Sequence, residues 1–311
     1  MTNEYEHRPV LLEETITALN LQRDGLYVDC TFGRGGHAAR ILQALGPNGR
    51  LLALDKDPNA VAAAREQFAH EPRFVIEQGS FTKLEFCVAE QGWLSNVDGV
   101  LLDLGVSSPQ LDDAERGFSF RRDGELDMRM DPNSGSSAAQ WLKTVKEQEL
   151  AQVFRDYGEE RYAKRIARAV IKARETQPIT RTKQLAEIIA QAHPKWEKGK
   201  DPATRCFQAI RIFINNELDE LHRVLPQAVN CLKIGGRLAV ISFHSLEDRI
   251  VKRFIREQCR GDNFPPGLPI TQALIQPHLR SVGKAIHPGE QEVEQNPRAR
   301  SSILRVAEKI H

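Results

Sequence analysis

Three aspartates stand where short apolar runs end, and their positions give the first indication of chemistry. Asp29, Asp55 and Asp103 each close such a run. The runs alternate with helical segments, a pattern typical of parallel strands whose carboxyl ends meet at one edge of a sheet. Ligands of open α/β sheets bind at that edge, so we expect these carboxylates to face a bound molecule.

A glycine-rich turn follows the first of these aspartates. The segment 28–37 has the pattern of a strand, a turn and the start of a helix, with Gly33, Gly35 and Gly36 in the turn. Glycine has no side chain to keep a ligand away from the backbone. Asp55 follows Gly35 by 20 residues, at the end of the second run, where a carboxylate can accept hydrogen bonds from ribose hydroxyls. The turn therefore predicts a cofactor that contains a nucleoside.

Two kinds of cofactor use such a turn. Gly33, Gly35 and Ala38 match the dinucleotide pattern G-x-G-x-x-A, which would indicate a nicotinamide-dependent oxidoreductase. Asp29 argues against that interpretation, because a dinucleotide places a doubly charged pyrophosphate at this turn. S-Adenosylmethionine has no phosphate, and carboxylates at Asp29 and Asp103 would stabilise its ammonium and sulfonium groups. The acids favour a methyltransferase.

The elements that position these residues form an interrupted pattern. The α/β alternation stops after the fourth apolar run and resumes near residue 205. This predicts an α/β fold with a mostly parallel sheet, interrupted by an inserted helical domain. We place the methyltransferase domain at residues 1–112 and 205–311, and the insert, expected to recognise the substrate, at residues 113–204.

Further elements are predicted from apolar periodicity. They are strands at 73–76, 237–242 and 302–306, helices at 161–172, 183–192 and 248–260, a long core-facing helix with apolar positions from 207 to 225, and loops over 261–298. Pro226 should break or kink the long helix, because proline lacks the N–H that a helical turn needs.

Positive charge is concentrated on two of the predicted helices. Residues 155–205 contain 13 Lys and Arg against 7 Asp and Glu, whereas the net charge of the whole chain is only +1. The RNA-binding candidates on these helices are Arg161, Arg165, Arg168, Arg249 and Arg253. A solvated helix face is the alternative. A non-catalytic RNA-binding protein would use the same faces but would not need acids at successive strand ends.

The cysteines and the hydropathy pattern exclude several classes of protein. The five cysteines lack the paired spacing that zinc requires, so no metal site is predicted, and they fit reduced thiols in a cytoplasmic protein. The chain does not begin with a basic region followed by an apolar run, so no signal peptide is predicted. No apolar run is long enough to span a bilayer.

Longer motifs run nearly from end to end. They are HRPVLL at 7–12, TFGRGGH at 31–37, LDLGVSSPQLD at 102–112, RGFSF at 116–120, LDMRMD at 126–131, SFHSLEDR at 242–249 and NPRARSS at 296–302. In these motifs the chain resembles the family of ribosomal small-subunit (16S) RNA cytosine-N4 methyltransferases of the RsmH (MraW) type. The resemblance implies a class I, Rossmann-like methyltransferase domain that carries a helical insert.

The resemblance also implies a substrate and a set of cofactor contacts. It implies methyl transfer from S-adenosylmethionine to the N4 amine of a cytidine near the decoding site, with ribosomal RNA in the assembled small subunit as the partner. Asp55 should hold the ribose and Phe81 should lie by the adenine, while Asp103 and Gln110 should lie near the methionine end. The expected cofactor contacts are Gly35, Gly36, His37, Asp55, Phe81, Asp103 and Gln110.

Methylation of an amine requires a hydrogen-bond acceptor, because the lone pair of a cytosine amine is delocalised into the ring. Asp103 at the strand end, or Ser107 and Ser108 a few residues later, could be that acceptor, and the sequence does not decide between them. The serines could instead cap local backbone. Carbon-5 methylation is disfavoured, because it needs a cysteine nucleophile beside the fourth strand, where none lies.

Other candidates have a structural alternative. Phe118 and Phe120 could stack on a flipped base or form a buried pair. His244, after a later strand, could face that base or be a satisfied histidine at a strand end. Without the resemblance, Phe81 could be a plain core residue and His37 a helix-start residue whose ring packs locally.

Overall fold

The computed structural model describes residues 9–195, 201–261 and 276–311. The chain divides into two compact units: residues 1–105 with 218–311, called here the sheet unit, and residues 106–217, called the helical unit. The division therefore falls before the sequence-based boundary at 112 and after the one at 204.

The sheet unit contains seven strands in the order β3-β2-β1-β4-β5-β7-β6. The first five strands in this order, β3 to β5, are parallel to one another, whereas β7 is antiparallel to both β5 and β6. The predicted α/β fold with a mostly parallel sheet is thus confirmed. The strands are β1 Leu26–Asp29, β2 Arg50–Asp55, β3 Phe74–Gln78, β4 Val97–Asp103, β5 Leu232–Ser242, β6 Leu279–Ser281 and β7 Ile303–Lys309.

The central strands are apolar on both faces because both faces of the sheet are covered. Side chains alternate along a strand, so Leu101 packs into one apolar cluster while Val100 and Leu102 pack into another. All three side chains are fully buried. A strand buried on both faces forms a continuous apolar run, which is why the runs were visible in the sequence.

The helices lie in both units. In chain order they are α1 Leu12–Leu19, α2 Gly36–Ala44, α3 Pro58–Gln67, α4 Leu84–Glu90, α5 Ser108–Asp112, α6 Ala138–Thr144, α7 Glu147–Gly158, α8 Ala163–Thr176, α9 Thr182–Ala192, α10 Ala203–Asn215, α11 Glu217–Cys231, α12 Ser245–Arg260 and α13 Glu290–Gln295. In the described ranges none is both long and apolar enough to cross a membrane.

The helical unit has a core of its own. Each of the helices α7 to α10 contributes several fully buried side chains to it, and Phe154, Ile166, Leu185 and Ile210 are one example from each helix. On α9, for instance, the buried Leu185 and Ile189 are four residues apart, so that helix buries one stripe.

The predicted long helix is in fact two helices, and Pro226 does not end the second. The break falls at Asn216, which has a left-handed φ of 53°, and α11 continues past Pro226 to Cys231. A proline inside a helix costs about 3 kcal/mol. Burial of Leu221, Val224 and Leu225 stabilises α11 by about 1.5–3 kcal/mol for each side chain, which outweighs that cost.

Residues 261–298 were predicted to be loops, and this is wrong for two segments. β6 pairs with β7 at the edge of the sheet, and α13 forms further on. Glu292 of α13 accepts a hydrogen bond from the Leu11 N–H at 2.7 Å, at the start of α1. Both elements depend on partners far away in the sequence, so local patterns did not indicate them. Residues 262–275 lie outside the described ranges.

Candidate active site

The three predicted strand-end acids lie at the carboxyl ends of neighbouring strands. Asp29, Asp55 and Asp103 are the last residues of β1, β2 and β4. β1 lies between the other two strands, and the order of the sheet reverses between β1 and β4. That reversal is the point at which open α/β sheets bind ligands.

Burial and mutual repulsion raise the pKa values of these acids. Desolvation, followed by the charge of Asp55, raises the pKa of Asp29 to about 7 although the Thr31 N–H donates to its carboxylate. Desolvation raises the pKa of Asp55 to about 6. The pKa of Asp103 lies well above its ordinary value, because of desolvation and then the charges of Asp29 and Glu247. Such a cluster favours a cationic ligand.

Glu247 is a member of this cluster to which the sequence analysis gave no role. Its side chain is buried, and Oε2 accepts hydrogen bonds from the N–H groups of Phe243 at 2.8 Å and His244 at 3.3 Å. It forms a capping box with His244 at the start of α12. An acid three residues after a polar residue, just beyond a strand, was the signal that could have identified it.

Asp103 combines fixed contacts with one free acceptor. Its N–H donates to Thr31 Oγ1 at 2.6 Å, and its Oδ2 lies 3.7 Å from His37 Nδ1. Its Oδ1 is buried, and no group within the described residues donates a hydrogen bond to it. Among those residues no lysine or arginine pairs with it either. A buried carboxylate oxygen without a donor needs an explanation, and a ligand that donates or is cationic supplies one.

The glycine turn is shaped by packing within the protein. Gly33 donates its N–H to Asp55 Oδ2 at 2.7 Å. Gly35 precedes α2 with φ of 73°, and a Cβ atom there would lie 2.5 Å from the ring of Phe32. A Cβ on Gly36 would collide with Pro9. Packing within the protein thus accounts for glycine at positions 35 and 36, and the predicted close approach of a ligand is not needed to explain it.

His37 is buried, and its ring contacts protein groups. Its Nε2 lies 3.2 Å from the carbonyl oxygen of Val10. Burial lowers the pKa of His37 to about 4, so the ring is neutral at pH 7. A contact between His37 and a cofactor would therefore be made by the backbone, since both ring nitrogens face protein oxygens.

Phe81 lies in the short 3₁₀ helix Phe81–Lys83 after β3. It is half-buried and packs against the core of the sheet unit. The structure therefore supports the core interpretation of Phe81, and the contact with adenine stays a prediction.

Gln110, Ser107 and Ser108 lie in the helical unit, where they start α5. Ser107 and Gln110 form a capping box, in which the Ser107 N–H donates to Gln110 Oε1 at 2.9 Å. Ser108 is buried. These contacts are those of the local backbone cap that was the structural alternative for the serines.

The aromatic candidates for base stacking are packed into the helical unit. Phe118 is buried, and Phe120 packs edge-on against Phe207 with 4.8 Å between ring centroids. Phe118 therefore matches the buried interpretation, whereas Phe120 is only partly buried and its ring partner is Phe207. His244 accepts from the Glu247 N–H at 3.4 Å, as a histidine capping a helix does.

The basic faces are exposed as expected. Arg165 and Arg168 project from α8 into solvent, and Arg161 lies exposed just before that helix. Arg168 reaches Glu147 at 3.4 Å, a surface pair that contributes about 0–1 kcal/mol and leaves the arginine available to a phosphate. Arg249 and Arg253 are exposed on α12. Both faces can meet a polyanion.

Known proteins resemble this chain over its whole length. A model of the MraW methylase family matches residues 4–310. Ribosomal RNA small subunit methyltransferase H of Nitrosococcus oceani is 61% identical over 304 residues, which cover 97% of this chain and 96% of that protein.

Solved structures also align with this chain at low sequence identity. An rRNA methylase from Streptococcus thermophilus aligns with a TM-score of 0.46 and 10% identity over 98% of this chain and 99% of its own. An S-adenosylmethionine-dependent O-methyltransferase from Thermotoga maritima aligns with a TM-score of 0.42 and 10% identity over 99% of this chain and 69% of its own.

Proposed function

The chain belongs to the MraW methylase family, and we propose that it transfers a methyl group from S-adenosylmethionine to the exocyclic N4 amine of a cytidine in small-subunit ribosomal RNA, near the decoding site. S-Adenosylmethionine is its cofactor, so the nicotinamide-dependent alternative is set aside. Ribosomal RNA as the substrate is supported by the name of the Nitrosococcus oceani relative. The cytidine N4 target rests on the resemblance and on the chemistry of the site.

The acid cluster fits this cofactor. The free Oδ1 of Asp103 is the observation that carries the assignment, because a buried acceptor beside Asp29 and Glu247 suits a cation with N–H donors. We assign the ribose to Asp55, the adenine to Phe81 and the methionine end to Asp103. Backbone contacts are assigned to Gly35, Gly36 and His37. Gln110 is included among the cofactor contacts only because it lies in the motif that resembles the family.

The state of the cysteines supports an amine target over carbon 5. A carbon-5 methyltransferase needs a reactive thiolate. Burial raises the pKa of Cys231 to about 12 and the pKa values of Cys30 and Cys206 well above the ordinary value. The pKa values of Cys87 and Cys259 are raised as well, again by burial. All five thiols are therefore protonated and unreactive at neutral pH.

The residues of the chain position and deprotonate the amine. The bound cofactor supplies an electrophilic methyl group on a sulfonium. Asp103 Oδ1 accepts a hydrogen bond from the amine, which favours the pyramidal nitrogen that attacks. We assign this role to Asp103 rather than to Ser107 or Ser108, because the serines start a capped helix whereas Asp103 Oδ1 has no donor among the described residues.

The exposed arginines are the proposed contacts to RNA. Arg161, Arg165 and Arg168 would bind phosphates from the helical unit, and Arg249 and Arg253 from α12. Phosphate contacts fix the position of the RNA without reading its sequence, so the choice of cytidine falls to the site around Asp103.

The proposal is tested on ribosomal RNA from cells that lack this chain. Mass spectrometry of nucleosides should show one small-subunit cytidine without its N4 methyl group. The methyl group should return when wild-type protein is supplied, and should stay absent when Asp103→Asn protein is supplied. Complete N4 methylation in the deleted cells would rule the proposal out.

A further inference from the structure

The Val10 carbonyl fixes which nitrogen of His37 carries hydrogen. His37 Nε2 lies 3.2 Å from that oxygen. A carbonyl oxygen only accepts hydrogen bonds, so Nε2 must be the donor. In the neutral ring the other nitrogen, Nδ1, is then an acceptor with a free lone pair. The backbone before α1 thus sets the tautomer of a side chain at the start of α2.

The free lone pair of His37 points at a carboxyl oxygen. Nδ1 lies 3.7 Å from Asp103 Oδ2, and catalytic hydrogen bonds of this length commonly shorten when a substrate binds. Two acceptors facing each other repel, so one proton between them stabilises the pair. The charged groups that face Asp103 are Asp29 from β1, Glu247 from α12 and His37 itself. The two acids favour retention of that proton.

We propose that His37 is the positioning residue that receives the proton released by methyl transfer, through Asp103. This inference rests on the proposed function. As the nitrogen–carbon bond forms, the sulfur–carbon bond breaks and its electron pair stays on sulfur. The amine N–H then breaks and an O–H forms at Asp103 Oδ1. The O–H at Asp103 Oδ2 breaks in turn, and an N–H forms at His37 Nδ1, which gives an imidazolium.

This relay explains how a protonated acid can still accept a proton. Asp103 with a proton on Oδ2 has no negative charge to offer, but it can accept at Oδ1 while it donates from Oδ2. The low pKa of His37 does not prevent this transfer, because the methylated and still protonated cytidine is a strong acid. Once it loses the proton, the lone pair of its amine nitrogen is delocalised into the ring. The charges of Asp29 and Glu247 act on Asp103, so the pair of Asp103 and His37 lies in a field that favours a cation.

The test uses a variant that keeps the geometry and removes the basicity. In His37→Gln the amide can donate to the Val10 carbonyl and accept from Asp103, but it cannot take up a proton. The matched control is His70→Gln, since His70 is exposed on the sheet unit. Single-turnover methylation of small ribosomal subunits from the deleted cells is measured as a function of pH, beside calorimetric cofactor binding.

The relay predicts a change in rate without a change in binding. His37→Gln should keep its dissociation constant for S-adenosylmethionine while its rate falls at least tenfold at pH 7, since positioned proton transfer contributes about 10²–10⁴-fold. The rate should recover as rising pH ionises Asp103. A wild-type rate and pH profile in His37→Gln would overturn the relay.

Two further measurements make the test of the relay decisive. Nitrogen-15 NMR of the wild-type protein should show the Nε2–H tautomer of His37, and the Nδ1–H tautomer would overturn the proposal even if the variant did not fold. The methylated atom in the wild-type product is identified first. A methyl group elsewhere than N4 would contradict the proposed function, whereas a failed relay leaves N4 methylation intact.

Discussion

Gly33 donates its N–H to Asp55 Oδ2 at 2.7 Å, which joins the glycine turn after β1 to the end of β2. Asp55 Oδ1 accepts from the Asp57 N–H at 2.8 Å. Each carboxylate oxygen has a second lone pair, so the same side chain can shape the turn and accept from ribose hydroxyls. The observed hydrogen bonds of Asp55 therefore leave acceptors for the proposed ribose contact.

Replacing Asp55 should weaken cofactor binding. Asp55→Ala removes charge-assisted hydrogen bonds worth about 1.5–3 kcal/mol, which corresponds to roughly a 10- to 150-fold loss of affinity. Asp55→Asn keeps one acceptor for the Gly33 N–H and should lose less. Calorimetry on both variants measures this. An unchanged dissociation constant in Asp55→Ala would remove Asp55 from the site.

The affinity for the cationic cofactor should rise with pH. The pKa of Asp29 is raised to about 7, so its charge appears as pH rises through that value. S-Adenosylmethionine carries a sulfonium charge that S-adenosylhomocysteine lacks. The ratio of the two affinities should therefore increase between pH 6 and pH 8 by roughly tenfold, the equivalent of about one pKa unit of coupling. Competition binding at each pH gives this ratio.

Asp29→Asn is the control for that pH dependence. It keeps the acceptor for the Thr31 N–H and removes the titration, so the ratio should become nearly flat. The folded wild-type protein also holds a proton on Asp29 that the unfolded chain has already released between the ordinary carboxyl pKa and about 7. Its stability should fall across that interval, and that fall should be smaller in Asp29→Asn.

The strand-end acids were predictable from the sequence because local patterns carry the information. β1, β2 and β4 are buried on both faces, so their apolar runs end where the chain reaches the edge of the sheet. The same reasoning found the exposed basic faces, because a helix shows its buried stripe in its periodicity.

The contacts that complete the site were not predictable in this way. The His37 ring contacts the carbonyl of Val10, and the Asp103 N–H donates to Thr31 Oγ1. The charge of Glu247, on a helix that follows β5, raises the pKa of Asp103. Each contact joins segments brought together only by the topology of the sheet, and a local pattern reports only the burial of its own segment.

Charge reversal on the helical unit should weaken RNA binding. Arg165→Glu, and more strongly the triple reversal with Arg161 and Arg168, should lower affinity and make its salt dependence shallower by roughly 0.7–0.9 per lost phosphate contact. Arg65→Glu, on an exposed position of α3, is the matched control and should change little. Cofactor affinity should be constant in all three. Equal RNA affinity and salt slope would make this face a merely solvated surface.

Replacing the two serines should separate a helix cap from catalysis. Ser107→Ala with Ser108→Ala removes the cap of α5 and should cost about 1 kcal/mol of stability while single-turnover methylation stays near normal. Asp103→Asn should lose both cofactor affinity and turnover, because the amide cannot pass on a proton and offers one acceptor oxygen where the carboxyl group has two. If turnover collapsed in the double-serine variant while cofactor binding stayed normal, the amine acceptor would be a serine.

The identity of the methylated atom tests the central claim most directly. Purified protein, small ribosomal subunits from deleted cells and S-adenosylmethionine with a deuterated methyl group are incubated, and the RNA is digested to nucleosides for mass spectrometry. We predict a single labelled cytidine whose base fragment carries the label on N4 and keeps its C5 hydrogen. A label on C5, on a ribose oxygen or on another base would contradict the account.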